Sequence, residues 1–320
     1  IGCEAEMKPD EKKKYLPEGN NESGRDVCSL QSESAVLKAI ENETIFEATA
    51  RVCTAEHDIA VDLPCMRGII PRCDGAIGIS SGQVRDIALI SRVGKQVVFT
   101  ITDIKTDENG NPLALLSRKR AQELCKEKYL ETLMPGDVID ARVTHLEPFG
   151  AFCDIGCGIV SLIPIDRISV SRISHPSDRF FVGQDIKAIV TGIDEFGRIT
   201  LTHKELLGTW EQNASHFSPG ETVPGTVRMI EDYGCFVELK ANLAGLAEPM
   251  ANLKVGNRVS VYIKSIIPEK MKLKLIIIDE FPAQSPQVIV PSDYYFKDDH
   301  MDSWTYSPKE CSKYVGTVFE

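Results

Sequence analysis

Residues Gly136 to Ile165 read GDVIDARVTHLEPFGAFCDIGCGIVSLIPI, and after a variable middle Val182 to Lys204 read VGQDIKAIVTGIDEFGRITLTHK. Short β-branched runs separated by Gly, Pro and Asp are the pattern of strands joined by turns. Phe149-Gly150-Ala151-Phe152 is the most informative tetrad. Residues three apart on a regular strand face opposite ways. A glycine after the first ring permits a bulge or kink, which predicts that both rings share one face. Ala151, Cys153 and Ile155 supply an inward alternating set and turn Phe152 outward. Two outward rings make a platform on which planar groups stack. The competing reading packs both rings into the core.

The pattern recurs along the chain, and the recurrence is the strongest structural signal in it. Gly136 aligns with Gly220, Val143 with Val227, Phe149-Gly150 with Tyr233-Gly234, and Phe152 with Phe236 at a single offset. Val182-Gly183 aligns with Val255-Gly256 at a smaller offset, so the later copy has a shortened middle loop. An earlier copy is divergent. Its strand candidates are EATARVCTA, HDIAVDL, MRGIIP, KQVVFTITDI and LALLS, between Ile45 and Lys119. Ala50-Arg51-Val52 aligns there with Ala141-Arg142-Val143, and Val93-Gly94 with Val182-Gly183. The expected fold class is all-β: a tandem array of three five-stranded units joined by short helices.

Residues 1–33 are polar and rich in Gly, Asn and Lys, which reads as a flexible leader. The first, divergent barrel is expected over 34–120, entered by a short helix near Ser34 to Asn42 with Ser32 or Ser34 as N-cap. A connecting helix is expected over 121–135, where Ala121, Leu124, Cys125 and Leu130 form an apolar stripe ended by Pro135-Gly136. The second barrel follows over 136–204. A second connecting helix spans 205–218, with Leu206, Leu207, Trp210 and Ala214 on one side. The third barrel covers 219–279. The remainder, 280–320, is acidic, carries Pro282, Pro286 and Pro291, and holds Tyr294, Tyr295, Phe296, Trp304, Tyr306 and Phe319. So many aromatics point to a tail that folds back over the last barrel.

Bulk properties bound the function. The chain has 320 residues, enough for two or three cores, with ordinary hydrophobic (42%) and charged (26%) fractions. No apolar run approaches the roughly 20 residues that span a bilayer, so no membrane role is expected. Ten cysteines occur without a C-x-x-C, which fits small buried hydrophobes in a reducing cytoplasm rather than a metal site. His145, His175 and His203 share no ligand spacing. The sequence contains no Walker loop, G-x-S-x-G or H-E-x-x-H, so no catalytic residue, metal or cofactor is expected. A net charge of −11 argues against a broad polyanion-binding surface but leaves room for a local stacking groove.

The second and third copies resemble S1 RNA-binding domains. The resemblance rests on G-D-V through FGAF, V-G-Q-D-I-K, and I-D-E-F-G-R-I-T-L-T-x-K in that order. Including RDIALISRVGKQV in the first copy and W-T-Y-S-P in the tail, the chain resembles the S1-domain proteins of clostridial and related Gram-positive bacteria. The resemblance implies barrels of the oligonucleotide/oligosaccharide-binding (OB) type and single-stranded RNA as partner, in connection with mRNA and the small ribosomal subunit. A cytoplasmic setting, already read from the cysteines, fits this, and a monomer is the expected state. RNA-facing positions in the family are two aromatics three apart, a histidine beyond them, and an aspartate–arginine pair near the last strand. In the second copy these fall on Phe149 and Phe152, on Pro164 in place of histidine, and on Asp194 and Arg198. In the third they fall on Tyr233 and Phe236, on Glu248, on Pro268 and on Lys272. Asp58, Val61 and Leu113 occupy them in the first copy, which keeps the shape and loses the site.

Arg198, Lys204 and Lys272 are the expected backbone contacts, although each also reads as a solvated charge. The Arg167–Arg172–Arg179 series is read two ways, as phosphate contacts or as balance for Asp166 and Asp178. Against the RNA-binding reading stands a protein-interaction module, docking on the ribosome or an RNA-processing complex. Acidity, Pro164 and Glu248 favour that alternative; the paired aromatics oppose it.

Overall fold

The computed structural model describes residues 12–195, 197–281 and 294–320, so residues 1–11 of the expected leader and the Pro282–Pro291 stretch lie outside it. Three closed five-stranded barrels follow one another. The first is built from β1 (Phe46–Cys53), β2 (Ile59–Asp62), β3 (Arg67–Ile70), β4 (Gln96–Thr106) and β5 (Pro112–Ser117). The second comprises β6 (Val138–Glu147), β7 (Gly150–Asp154), β8 (Val160–Pro164), β9 (Asp185–Ile193) and β10 (Ile199–Thr202). The third comprises β11 (Thr222–Glu231), β12 (Gly234–Lys240), β13 (Leu243–Ala247), β14 (Arg258–Ile267) and β15 (Lys272–Phe281). In each, the first strand pairs with the second and fourth, and the third runs parallel to the fifth. The repeat predicted three five-stranded units, and this closure is the OB type that the resemblance implied.

Period-two alternation explains the barrels. Ile139, Ala141 and Val143 of β6 are buried, as are Ile186, Ala188 and Val190 of β9. In the third barrel Val259, Val261 and Ile263 point inward, while Tyr262 between them is partly exposed. Each buried Val or Ile contributes about 1.5–3 kcal/mol over the exposed state. A one-residue slip would turn the whole set to solvent, so the register is strongly specified. The helix Glu33–Glu41 starts at Ser32, whose hydroxyl accepts the Ala35 N–H. The helix Arg118–Lys128 is capped likewise by Ser117, and it buries Ala121, Leu124 and Cys125.

Contacts divide the chain into two compact units, not three. One holds residues 1–133 together with Asp154–Val160; the other holds Met134–Cys153 and Ser161–Glu320. In the first unit the described part of the expected leader is folded. Arg25 is buried, pairs with Glu47 at 2.9 Å and donates to the carbonyls of Leu16 and Pro17. Glu18 is buried too; its carboxylate takes Arg118 at 2.7 Å and Arg92 at 3.1 Å. Burial pushes the Glu18 carboxyl up, but Arg118 and Arg92 outweigh it and hold the group below its ordinary value. Composition reads such charges as solvated; here tertiary partners desolvate and pair them, which corrects the flexible leader over residues 12–33.

In the second unit, the second and third barrels share one apolar cluster. Ile189 of β9, Leu206, Leu207 and Trp210 of the connector, and Val227, Val237, Val261 and Leu275 of the third barrel belong to it. Tyr294, Met301, Trp304 and Tyr306 join the same cluster, and Ser303–Thr305 pairs with Gly316–Val318 as a two-stranded ribbon. The Tyr306 hydroxyl donates to the Asn242 carbonyl at 2.6 Å. His203 is fully buried between Phe180 and Tyr294, ring centroids 5.0 and 5.2 Å away. The connector is not one helix over 205–218. It is a 3-10 turn, Lys204–Leu207, and a short helix, Trp210–Ala214, separated at Gly208, whose φ of 82° suits only glycine without strain.

Candidate nucleic-acid interface

Phe149 and Phe152 come together on the outside of the second barrel. Their rings meet edge to face with centroids 5.9 Å apart, and Phe149 is 56% exposed. The route differs from the one expected. Phe149 sits in the two-residue turn between β6 and β7, and Phe152 stands on β7 itself. No bulge at Gly150 is needed to bring them to one side. Gly150 serves another purpose: a Cβ there would meet the Ile163 carbonyl oxygen at 2.5 Å and Leu162 Cδ1 at 2.9 Å. Its lack of a side chain lets β8 close against the start of β7. Ala151 and Cys153 are buried, so the inward set is as read.

The third barrel repeats the arrangement. Tyr233 occupies the turn between β11 and β12, is 65% exposed, and meets Phe236 edge to face at 6.3 Å. Gly234 is again obligatory, since a Cβ would meet the Ala247 carbonyl oxygen at 2.5 Å. Cross-strand pairing extends the face: Phe236 lies opposite Leu246, and Leu246 opposite Lys274. The corresponding pair in the second barrel is Leu162 and Thr200. Leu162, Thr200, Leu246 and Lys274 were not singled out in the sequence, though alternation from the buried positions marks all four as outward.

His145 is a further addition. It stacks on Phe152 with centroids 6.3 Å apart and an interplanar angle of 27°, and its Nε2 bonds Glu147 at 2.6 Å. Phe152 therefore has two ring neighbours. The third-barrel counterpart of His145 is Met229, the cross-strand partner of Phe236.

Asp194 and Arg198 close the β9–β10 turn. Asp194 accepts the Arg198 backbone N–H at 2.8 Å and its Nε at 2.7 Å, while the Arg198 side chain stays 75% exposed. Asp194 thus orients Arg198 rather than facing a ligand by itself. Lys272 begins β15 and is exposed, after Met271 in the left-handed region at φ 47°. Lys204 lies in the connector beyond β10, where its carbonyl accepts from Asn242 at 2.8 Å; it is not on the strands that carry the rings. Pro164 ends β8 half-buried, and Glu248 follows β13 exposed.

Two of the three middle-loop arginines, Arg172 and Arg179, separate. Arg179 is buried against Glu238, and Arg228 pairs with the same Glu238 at 2.7 Å and with Asp178 at 3.1 Å. Arg179 is structural, and Arg172 is exposed. In the first barrel, the β1 irregularity between Ala50 and Val52 matches the β11 irregularity between Val227 and Met229. Val52 pairs with Ala60 as Met229 pairs with Phe236, so Ala60, not Val61, is the true counterpart of the platform ring. Val61 points into the core. The sequence alignment of this copy was out of step by one residue: the shifted positions hold His57 and Ala60, so the second platform ring is missing.

The S1 RNA binding domain family matches residues 132–204. Residues 132–204 form an S1 domain. About three quarters of the chain resembles a protein named small ribosomal subunit protein bS1 homolog of Bacillus subtilis (strain 168), at 30% identity over 76% of this chain and 62% of that protein. It also resembles small ribosomal subunit protein bS1 of Staphylococcus aureus (strain COL), at 28% identity over 85% of this chain and 70% of that one. The match to the Bacillus protein thus covers less than two thirds of its length. Among the described residues, no helix is long and apolar enough to cross a membrane, and no group of three acidic, His or Cys side chains is placed to hold a metal.

Proposed function

We propose that this chain binds single-stranded RNA on the outer faces of its second and third barrels, as a cytoplasmic partner of mRNA and the small ribosomal subunit. The observation that carries the reading is the exposed edge-to-face pair Phe149/Phe152 on an S1 domain, repeated at Tyr233/Phe236. Every base offers a π-face, so such pairs take a strand without demanding a sequence, at about 1–3 kcal/mol per stacked base. Arg198, held exposed in the β9–β10 turn of the same barrel, serves the first pair, and Lys272 and Lys274 serve the second. The first barrel, with Ala60 in place of the platform ring, acts as a spacer or a protein-docking module.

The few cations on these faces predict a shallow salt response. About three neutralised phosphates give a slope near −2 in log affinity against log salt for a single strand. Titration of labelled single- and double-stranded RNA at several salt concentrations tests the reading. Preference for the single strand with that slope is the expected result. Equal, weak binding of both would favour the protein-interaction module.

A further inference from the structure

Arg172 belongs to the middle loop of the second barrel but stands at the platform of the third. Its Nη1 donates to the Met229 sulfur at 3.6 Å, and Met229 is the cross-strand partner of Phe236. The loop that carries it is pinned on both sides. Before it, the Val170 N–H donates to Asn242 Oδ1 at 2.9 Å and the Ser171 N–H to the Ala241 carbonyl at 3.2 Å. After it, Arg179 binds Glu238, and Asp178 holds Arg228 at 3.1 Å. The backbone at Arg172 is therefore fixed relative to β12.

Its side chain is exposed and makes no ion pair among the described residues. A thioether is a weak acceptor, so the guanidinium keeps most of its five donors for a ligand. Exposed Glu231 and Asp232 precede Tyr233, Glu248 follows β13, and Glu269, Lys270, Lys272 and Lys274 are exposed in and before β15. In the barrel, β11 and β13 flank β12, and β15 lies beyond β13. The rings thus have the β15 lysines on one side and Arg172 on the other. A planar guanidinium is suited to bidentate phosphate contact.

We infer that Arg172 completes a composite site on the third barrel, binding a backbone phosphate of a single strand whose bases stack on Tyr233 and Phe236. The site is built by two barrels, so it forms only when the second-barrel loop is docked. The inference rests on the single-strand binding proposed above.

The test uses the full chain, a labelled oligouridylate and fluorescence anisotropy at several salt concentrations. Arg172→Gln is expected to weaken binding by about three- to tenfold and to make the salt slope shallower by about 0.7. In a Tyr233→Ala/Phe236→Ala background the same substitution is expected to cost less than about twofold, because its partner strand has left. In a Phe149→Ala/Phe152→Ala background its full effect is expected to persist. Unchanged affinity and slope for Arg172→Gln, with Tyr233→Ala/Phe236→Ala impaired, would overturn the composite site and leave RNA binding intact. An undiminished loss in the Tyr233→Ala/Phe236→Ala background would overturn it as well. If neither pair of aromatic substitutions lowers affinity, the single-strand reading fails and this inference falls with it.

Discussion

Arg179 of the second barrel and Glu238 of the third form a buried ion pair, and Arg228 fastens the other oxygen of the same carboxylate at 2.7 Å. Removing one member of such a group leaves charges desolvated and unpaired, which costs about 3–5 kcal/mol. Glu238→Gln is therefore expected to destabilise the second unit by about that much. Both tryptophans, Trp210 and Trp304, lie in that unit, so urea unfolding followed by tryptophan fluorescence reports on it alone. A shift in midpoint below the equivalent of about 1 kcal/mol would mean that the pair contributes no more than a surface bridge.

His203 sets a pH limit on the same unit. Burial, with the charge of Arg179 nearby, pushes its imidazole down to about 4, against a Lys187 carbonyl that favours the protonated form. The unfolded chain binds this proton near pH 6.5 and the folded one only near 4. Stability is thus full above about pH 6.5 and declines as pH falls toward 4, by about 3 kcal/mol from this group. His203→Gln is expected to flatten the dependence between pH 7 and 4, whatever its effect at neutral pH. Urea midpoints measured across that range for both proteins decide it; parallel curves would remove His203 from the account.

The barrels were legible because closure depends on local alternation and on a repeat that shows itself three times. The rings were legible because Ala151, Cys153 and their third-barrel counterparts occupy the inside. What escaped notice depends on partners distant in the chain. Glu18 and Arg25 read as solvated charges until Arg118 and Glu47 are brought to them. Nothing near Arg172 or Arg179 separates an exposed residue at one barrel's platform from a buried clamp on its neighbour. Register also escaped in the first barrel, where the irregularity between Ala50 and Val52 moves Val61 from an outward position to the core. Such an irregularity has no mark in residues 46–61 that composition could reveal.

Gly150 and Gly234 are expected to be intolerant of a single methyl group. Each faces a carbonyl oxygen 2.5 Å from where a Cβ would stand, on a neighbouring strand that cannot yield without opening the barrel. Overpacking of this kind costs about 1–3 kcal/mol. Gly150→Ala is expected to lower the thermal midpoint and to displace the Phe149 turn with it. Gly183→Ala makes a useful contrast. It has open space around it but a φ of 91°, so it tests backbone strain without a steric contact. A midpoint for Gly150→Ala equal to that of the wild type would show that β8 accommodates the methyl.

Phe149 and Phe152 should dominate RNA affinity, with Tyr233 and Phe236 second. Phe152 has His145 as well as Phe149 as a ring neighbour, and Arg198 is held exposed by Asp194 on the same barrel. The third-barrel pair has Met229 in place of the stacked histidine, with exposed Glu231 and Asp232 preceding Tyr233 and exposed Glu248 following β13. Phe149→Ala/Phe152→Ala is expected to cost about 2–5 kcal/mol of binding free energy if each ring carries one base. Tyr233→Ala/Phe236→Ala is expected to cost less, and the ratio between the two should narrow as salt rises and the acidic neighbours are screened. Both rings of each pair lie outside the barrel cores, so thermal midpoints should move little. Equilibrium titration of the two double variants against one labelled single strand checks the ranking. A folded Phe149→Ala/Phe152→Ala protein that binds like wild type would place the strand elsewhere on the chain.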